Sequence, residues 1–77
     1  MTNPEHLKNI DSFETERTEN GIEYIDSEFY LDKYSTDKGV FYTISKYKHP
    51  ETRILLKTQD YKRAIRAWEK LKKHPIC

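Results

Sequence analysis

Apolar residues recur at spacings of three and four in the C-terminal segment DYKRAIRAWEKLKK. This spacing is typical of an amphipathic helix, and we therefore predict a helix over residues 60–73. Thr58 or Asp60 is the expected N-cap, and His74-Pro75 is expected to end the helix. The only tryptophan, Trp68, lies in the middle of the apolar face and is the predicted core anchor. The full apolar face consists of Tyr61, Ala64, Ile65, Trp68 and Leu71.

Alternating apolar and polar residues before this helix indicate β-strands. The predicted strands cover residues 22–34, 40–48 and 53–57, and the predicted turns cover residues 35–39 and 49–51. Because the first strand is long, we predict a bulge or a bend in it at Asp26-Ser27-Glu28. The strand residues expected to pack against the Trp68 face of the helix are Ile25, Phe29, Leu31 and Ile54.

The N-terminal residues carry the signature of a helix start. Asn3-Pro4-Glu5 supplies a capping side chain, a proline at the first helical position and an acid in the first turn. Leu7, Ile10 and Phe13 follow at spacings of three. The helix is expected to end near Asp11-Ser12 or to continue to Asn20-Gly21.

The predicted fold is a single α+β domain over residues 1–77. A three-stranded antiparallel sheet is packed by the C-terminal helix, with a short or frayed N-terminal helix loosely attached through residues 1–20. A chain of this length is near the lower size limit at which a hydrophobic core is stable without disulfides or a bound metal. Only 35% of its residues are apolar, but three Phe, six Tyr and one Trp favour a folded domain.

Several features indicate a cytoplasmic protein without a membrane partner. Cys77 is the only cysteine, which excludes an intramolecular disulfide and favours a reducing compartment. No apolar run approaches the ~18 residues that span a bilayer, and the N-terminus lacks the apolar segment of a signal peptide.

The sequence contains no pattern typical of catalysis or cofactor binding. His6, His49 and His74 are scattered, so they do not form a zinc motif. Gly21 and Gly39 are the only glycines, which is too few for a phosphate-binding loop. We therefore predict a non-enzymatic protein without a cofactor or a metal.

The net charge of +1 hides a strong asymmetry along the chain. Residues 1–37 carry ten acids and three bases, whereas residues 38–77 carry eleven bases and three acids. Either the two halves neutralise each other across the fold, or each half is a binding surface. The basic half supplies the predicted nucleic-acid-binding residues, which are Lys46, Lys48, Arg53, Lys57, Arg63, Arg66, Lys70 and Lys73.

The acidic half supports the alternative prediction of a protein-binding surface. Exposed tyrosines provide hot spots for a protein partner, and they also stack on bases. The residues predicted for a protein partner are Glu14, Glu16, Glu19, Tyr24, Tyr30 and Tyr34.

Two family resemblances follow from the segment FYTISKYKHPETRILLKTQDYKRAIRAWEKL, read as strands followed by a helix. This order resembles AP2-type and integrase arm-binding domains, which implies a sheet that enters a DNA groove through Lys46, Lys48, Arg53 and Lys57. With an N-terminal helix added, the order is also similar to double-stranded-RNA-binding domains.

The composition, rich in Lys, Glu, Tyr and Ile, resembles small bacteriophage accessory proteins. Some of those proteins present carboxylates to host enzymes that handle nucleic acid. The sequence therefore predicts a small regulatory protein that binds nucleic acid through its basic half. The alternative is a phage-type inhibitor that docks on a host nucleic-acid-processing or defence enzyme through its acidic N-terminal half.

Overall fold

The computed structural model describes residues 3–74, which form a four-stranded antiparallel sheet with one helix packed on one side. The strands follow each other in space as they do in sequence, in the order β1-β2-β3-β4. The elements are β1 (Glu5–Glu19), β2 (Ile22–Thr36), β3 (Gly39–Lys48), β4 (Glu51–Thr58) and α1 (Tyr61–Lys73). The molecule is elongated, with extents of 49 × 24 × 16 Å.

The predictions of an N-terminal helix and of a three-stranded sheet were wrong, because residues 5–19 form β1 and pair with β2 along their whole length. Two bulges explain the helix-like spacing of the apolar residues. Leu7 and Ile10 are extra residues at the two register shifts near the start of β1. Each bulge changes the side to which the following residues point, so Ile10 and Phe13 both reach the core despite a spacing of three.

All three connections between strands are two-residue turns. Asn20 and Gly21 join β1 to β2 with φ angles of 54° and 77°, as a type I′ turn requires. The second turn contains only Asp37 and Lys38, so the predicted five-residue turn at 35–39 was too long. The last turn, His49-Pro50, contains a cis peptide bond and lies where a turn was predicted.

The core lies between α1 and the sheet, and the prediction that Trp68 anchors it is confirmed. Trp68 is 3% exposed, and its ring lies 5.1 Å from that of Phe13 in an edge-to-face arrangement. Phe13 in turn stacks on Phe29 at 4.7 Å. The buried apolar residues of this cluster are Phe29, Leu31, Ile44, Ala64, Trp68 and Leu71.

Two residues predicted to pack under the helix, Ile25 and Ile54, are instead each 58% exposed. The predicted bulge in β2 is confirmed, with Asp26 as the unpaired residue, and it turns Ile25 away from the side of Phe29. In β4, Leu55 is the unpaired residue at a register shift, and it turns Ile54 away from the side of Ile44. In both strands the single extra residue reverses the side to which the next residues point.

The predicted start of α1 is confirmed, with Asp60 as the N-cap. Its carboxylate accepts hydrogen bonds from the backbone N–H groups of Lys62 and Arg63, at 3.0 and 3.3 Å. The helix ends at Lys73, and His74 is its C-cap. Pro75 and Cys77 lie outside the described residues. Within residues 3–74, no helix has the length and apolar character that crossing a bilayer requires.

Asp11 ties β1 to the helix through a hydrogen bond that Trp68 Nε1 donates to Asp11 Oδ2 at 2.9 Å. This bond, the backbone N–H of Ser12 and the nearby ammonium of Lys72 together lower the pKa of Asp11. A carboxyl group whose pKa is lowered by folding stabilises the protein above its unfolded-state pKa. That contribution is lost as the pH falls through the lowered folded-state pKa.

We therefore expect Asp11→Asn to lower the melting temperature at pH 7, because the amide cannot replace the ionised acceptor. The difference from wild type should shrink as the pH falls below about 4, where the carboxyl group of the unfolded wild type becomes protonated. Thermal melts followed by circular dichroism at pH 7 and pH 3 measure both values. An equal difference at the two pH values would show that the ionised form of Asp11 contributes nothing.

Candidate nucleic-acid interface

The sheet has two different surfaces, which we call the helix side and the open side. The helix side carries Phe29, Leu31 and Ile44 under α1. The open side carries the alternate residues of each strand and is not covered by any element within residues 3–74. The predicted site residues fall on both sides.

Four predicted residues form one row along the outer surface of α1. This basic ridge consists of Arg63, Arg66, Lys70 and Lys73, all exposed. Their spacings of three and four place them opposite the buried face that contains Trp68. No carboxylate oxygen of residues 3–74 lies within 4.0 Å of any of these four cations. The four ridge cations therefore form no ion pair within residues 3–74, although the exposed Glu69 lies on the same helix between Arg66 and Lys70.

A second basic surface lies where β3 and β4 extend past the helix. Lys46 and Arg53 oppose each other in the strand register, and Lys48 opposes Glu51. These residues line a cleft of about 390 Å³, which we call the basic cleft. Its complete lining is Lys46, Lys48, His49, Pro50, Glu51, Arg53 and Leu55.

Lys57 does not join the other basic residues of β3 and β4. Its ammonium lies 4.6 Å from the centre of the Phe41 ring, on the open side of the sheet. Arg53 and Lys57 are four residues apart and would lie on the same side of a regular strand. The register shift at Leu55 places Arg53 on the helix side and Lys57 on the open side. The structure therefore divides the predicted nucleic-acid-binding residues among the basic ridge, the basic cleft and this single position.

The acidic and basic halves of the chain exchange few ion pairs. Lys48 lies 3.6 Å from Asp26, and Lys72 lies 3.5 Å from Asp11. The other ion pairs within residues 3–74 join groups that both belong to the acidic half. The ion pairs between the two halves therefore do not involve any of the four cations of the basic ridge.

The open side of the sheet is acidic and aromatic. Glu14 and Glu28 oppose each other in the register of β1 and β2, and Tyr30 donates a hydrogen bond of 2.9 Å to Glu28. This bond, together with burial and the neighbouring carboxylates, raises the pKa of the Tyr30 hydroxyl. Tyr34 stacks on Phe41 with ring centres 5.3 Å apart. Glu14, Tyr30 and Tyr34 of the predicted protein-binding set thus share the open side.

The remaining residues of that set lie on a protruding hairpin. β3 pairs with β2 only from Glu28 onwards, so residues 16–25 extend beyond it as a two-stranded ribbon, which we call the arm. The register places Glu16 on the open side of the arm, and Glu19 and Tyr24 on the other side. The six predicted protein-binding residues therefore do not form one surface.

Comparison of the chain with protein-family models, curated proteins and solved structures found no match.

The described residues offer hydrogen-bond donors to an anion but no cluster of metal ligands. No group of three His, Cys, Asp or Glu side chains within residues 3–74 is placed to hold a metal ion. A guanidinium or ammonium group, by contrast, donates hydrogen bonds to phosphate oxygens without any further chemistry. The basic ridge and the basic cleft are suited to that task.

Sequence reasoning missed two features of these surfaces. His49 and Leu55 line the basic cleft, although neither was predicted as a site residue. Ile22 and Ile25 are exposed on the arm, where a core position had been predicted for Ile25. The Asn20-Gly21 pair between two apolar stretches was the available signal, because this dipeptide is typical of a tight hairpin.

Proposed function

We propose that the protein is a non-enzymatic nucleic-acid-binding protein that contacts the phosphate backbone through the basic ridge. The observation that carries this proposal is that Arg63, Arg66, Lys70 and Lys73 form no ion pair with any carboxylate of residues 3–74. Cations that are already ion-paired must lose their partners before binding a phosphate, whereas these four pay no such cost.

The length of the ridge suits several phosphates of one strand. From Arg63 to Lys73 the helix rises about 15 Å, at ~1.5 Å per residue. The axial spacing of phosphates in one strand of duplex DNA is ~3.4 Å, so about four phosphates lie within this length. One row of cations on a rigid helix therefore has the reach to contact successive phosphates.

The distribution of acids favours approach from the helix side. Glu14 and Glu28 lie on the open side, and their charge repels phosphate from that surface. The basic cleft opens at the end of the sheet and adds Lys46, Lys48 and Arg53 to the positive field. Because Lys and Arg contacts to phosphate carry no base information, the expected binding is largely independent of sequence.

The first test is a fluorescence-anisotropy titration with a labelled DNA duplex and a labelled single strand of random sequence. Four phosphate contacts predict a log–log slope of affinity against salt of about −3.6 on the duplex, or about 150-fold weaker binding at 200 mM than at 50 mM salt. Contacts from the basic cleft would make the slope steeper. Absence of binding to either probe, and to the matching RNA strands, at 50 mM salt would reject the proposal.

A further inference from the structure

The arm exposes a set of large apolar side chains that the nucleic-acid proposal does not use. Ile22 is 56% exposed, Tyr24 43% and Ile25 58%. Single exposed apolar residues are common on protein surfaces, but three within four positions indicate a contact site.

These three side chains occupy both sides of the arm. Ile22 and Tyr24 point to one side, and the bulge at Asp26 directs Ile25 to the other. A ribbon that is apolar on one side lies flat on a partner, whereas one that is apolar on both sides buries both only by entering a cleft. The paired part of the arm extends about 13 Å, at ~3.3 Å per residue for four residues in each strand.

The arm is also preformed. Its turn uses Asn20 and Gly21 in the left-handed conformations that match the twist of a hairpin. At its base Arg17 lies 3.6 Å from Glu19 and 3.8 Å from Asp26, and its guanidinium lies 5.7 Å from the centre of the Tyr24 ring. A preorganised hairpin loses little conformational entropy when it binds.

The charge of the arm identifies the chemistry of its partner. Residues 16–25 contain three glutamates, Glu16, Glu19 and Glu23, and one arginine, Arg17. This negative charge opposes contact with nucleic acid, and it opposes contact between the arms of two copies of the chain. It is complementary to a basic protein surface.

We infer that the arm is a docking element that inserts Ile22, Tyr24 and Ile25 into an apolar cleft with a basic rim on a folded protein partner. The glutamates meet the rim while the apolar side chains fill the cleft. This inference does not depend on the proposed function, because the basic ridge and the arm share no residue.

The test places a photo-crosslinking amino acid, benzoylphenylalanine, at position 25 or, as a matched control, at position 54. Ile54 has the same exposure as Ile25, at 58%, and also lies in a strand, but it is not part of the arm. The full-length chain is irradiated in a nuclease-treated extract of the cells that naturally make it, and the crosslinked peptides are sequenced by mass spectrometry.

We expect position 25 to crosslink to one protein, at a peptide that contains apolar residues next to Lys or Arg. Position 54 should give at least about tenfold less of this adduct. The double variant Ile22→Ser/Tyr24→Ser, made in the chain labelled at position 25, should reduce the adduct by about tenfold or more, since it removes apolar contact area. Glu16→Lys/Glu23→Lys in the same background should have a similar effect through lost charge complementarity.

Four results would overturn the inference. They are no adduct at position 25, an adduct with a second copy of the chain, an adduct with nucleic acid in an extract that was not nuclease-treated, and equal adducts from positions 25 and 54. An adduct that survives both double variants would equally exclude the apolar and electrostatic contacts described here. Failure of this test leaves the affinity of the basic ridge for nucleic acid unchanged, so the two proposals fail independently.

Discussion

Replacing Trp68 with alanine should leave most of the protein unfolded at room temperature. The side chain is 3% exposed, packs against Phe13 and donates a hydrogen bond to Asp11. Removing a buried tryptophan costs ~3–5 kcal/mol from the cavity and from lost transfer free energy. Domains have stabilities of ~0.05–0.15 kcal/mol per residue, and the lower value suits a chain this small with only 35% apolar residues. At that value the whole chain has a stability of about 4 kcal/mol, which the loss of Trp68 removes.

Circular dichroism and thermal melts measure this effect, and Tyr61→Ala is the matched control. Tyr61 is an aromatic residue of the same helix but is 51% exposed. Its replacement should lower the melting temperature by only a few degrees, since the lost contact with Tyr42 lies at the edge of the core. A cooperative melt of Trp68→Ala close to that of Tyr61→Ala would contradict the described core.

The second large effect concerns the basic ridge, where Arg63→Glu/Arg66→Glu should weaken nucleic-acid binding by about 100-fold or more at low salt. Two phosphate contacts are lost and two repulsive charges are added. The fold should tolerate the change, because both side chains are exposed and residue 63 lies in the first turn of α1, where negative charge interacts favourably with the helix dipole. Residue 63 is also the position at which a glutamate forms a capping box.

A control with the same change in net charge is Lys8→Glu/Lys38→Glu. Both lysines are exposed, and they lie in β1 and in the turn between β2 and β3 rather than on the ridge. If nucleic acid responds only to the total charge, the two double variants will weaken binding equally, and the ridge will have no special role. Lys46→Glu/Arg53→Glu measures the contribution of the basic cleft in the same assay.

The C-terminal helix was predictable because its apolar spacing, its capping aspartate and its cationic row all agree. β1 was not, because its bulges give Leu7, Ile10 and Phe13 a helical spacing within a strand. The length of β2 indicated a bulge near Asp26, whereas nothing in the sequence marks the two bulges of β1. The Asn20-Gly21 pair did indicate a hairpin at this point of the chain. That signal is stronger evidence for a strand before it than the spacing of Leu7, Ile10 and Phe13 is for a helix.

The same limit applies to the candidate site. Cations at one helix face share a surface by periodicity alone, so the basic ridge followed directly from the sequence. In β4, Arg53 and Lys57 have the even spacing of one face, yet the bulge at Leu55 separates them. The exposed arm was hidden for the same reason, because the bulge at Asp26 redirects Ile25 out of the predicted core.

The most direct test of the central claim is the salt dependence of duplex binding for wild type and for Arg63→Gln, Arg66→Gln and Lys70→Gln. Each contact with a phosphate contributes about 0.9 to the log–log slope. Each neutralisation should therefore reduce the magnitude of the slope by about 0.9, whatever the sequence of the duplex. Slopes that equal the wild-type slope in all three variants would show that the basic ridge does not contact the phosphate backbone.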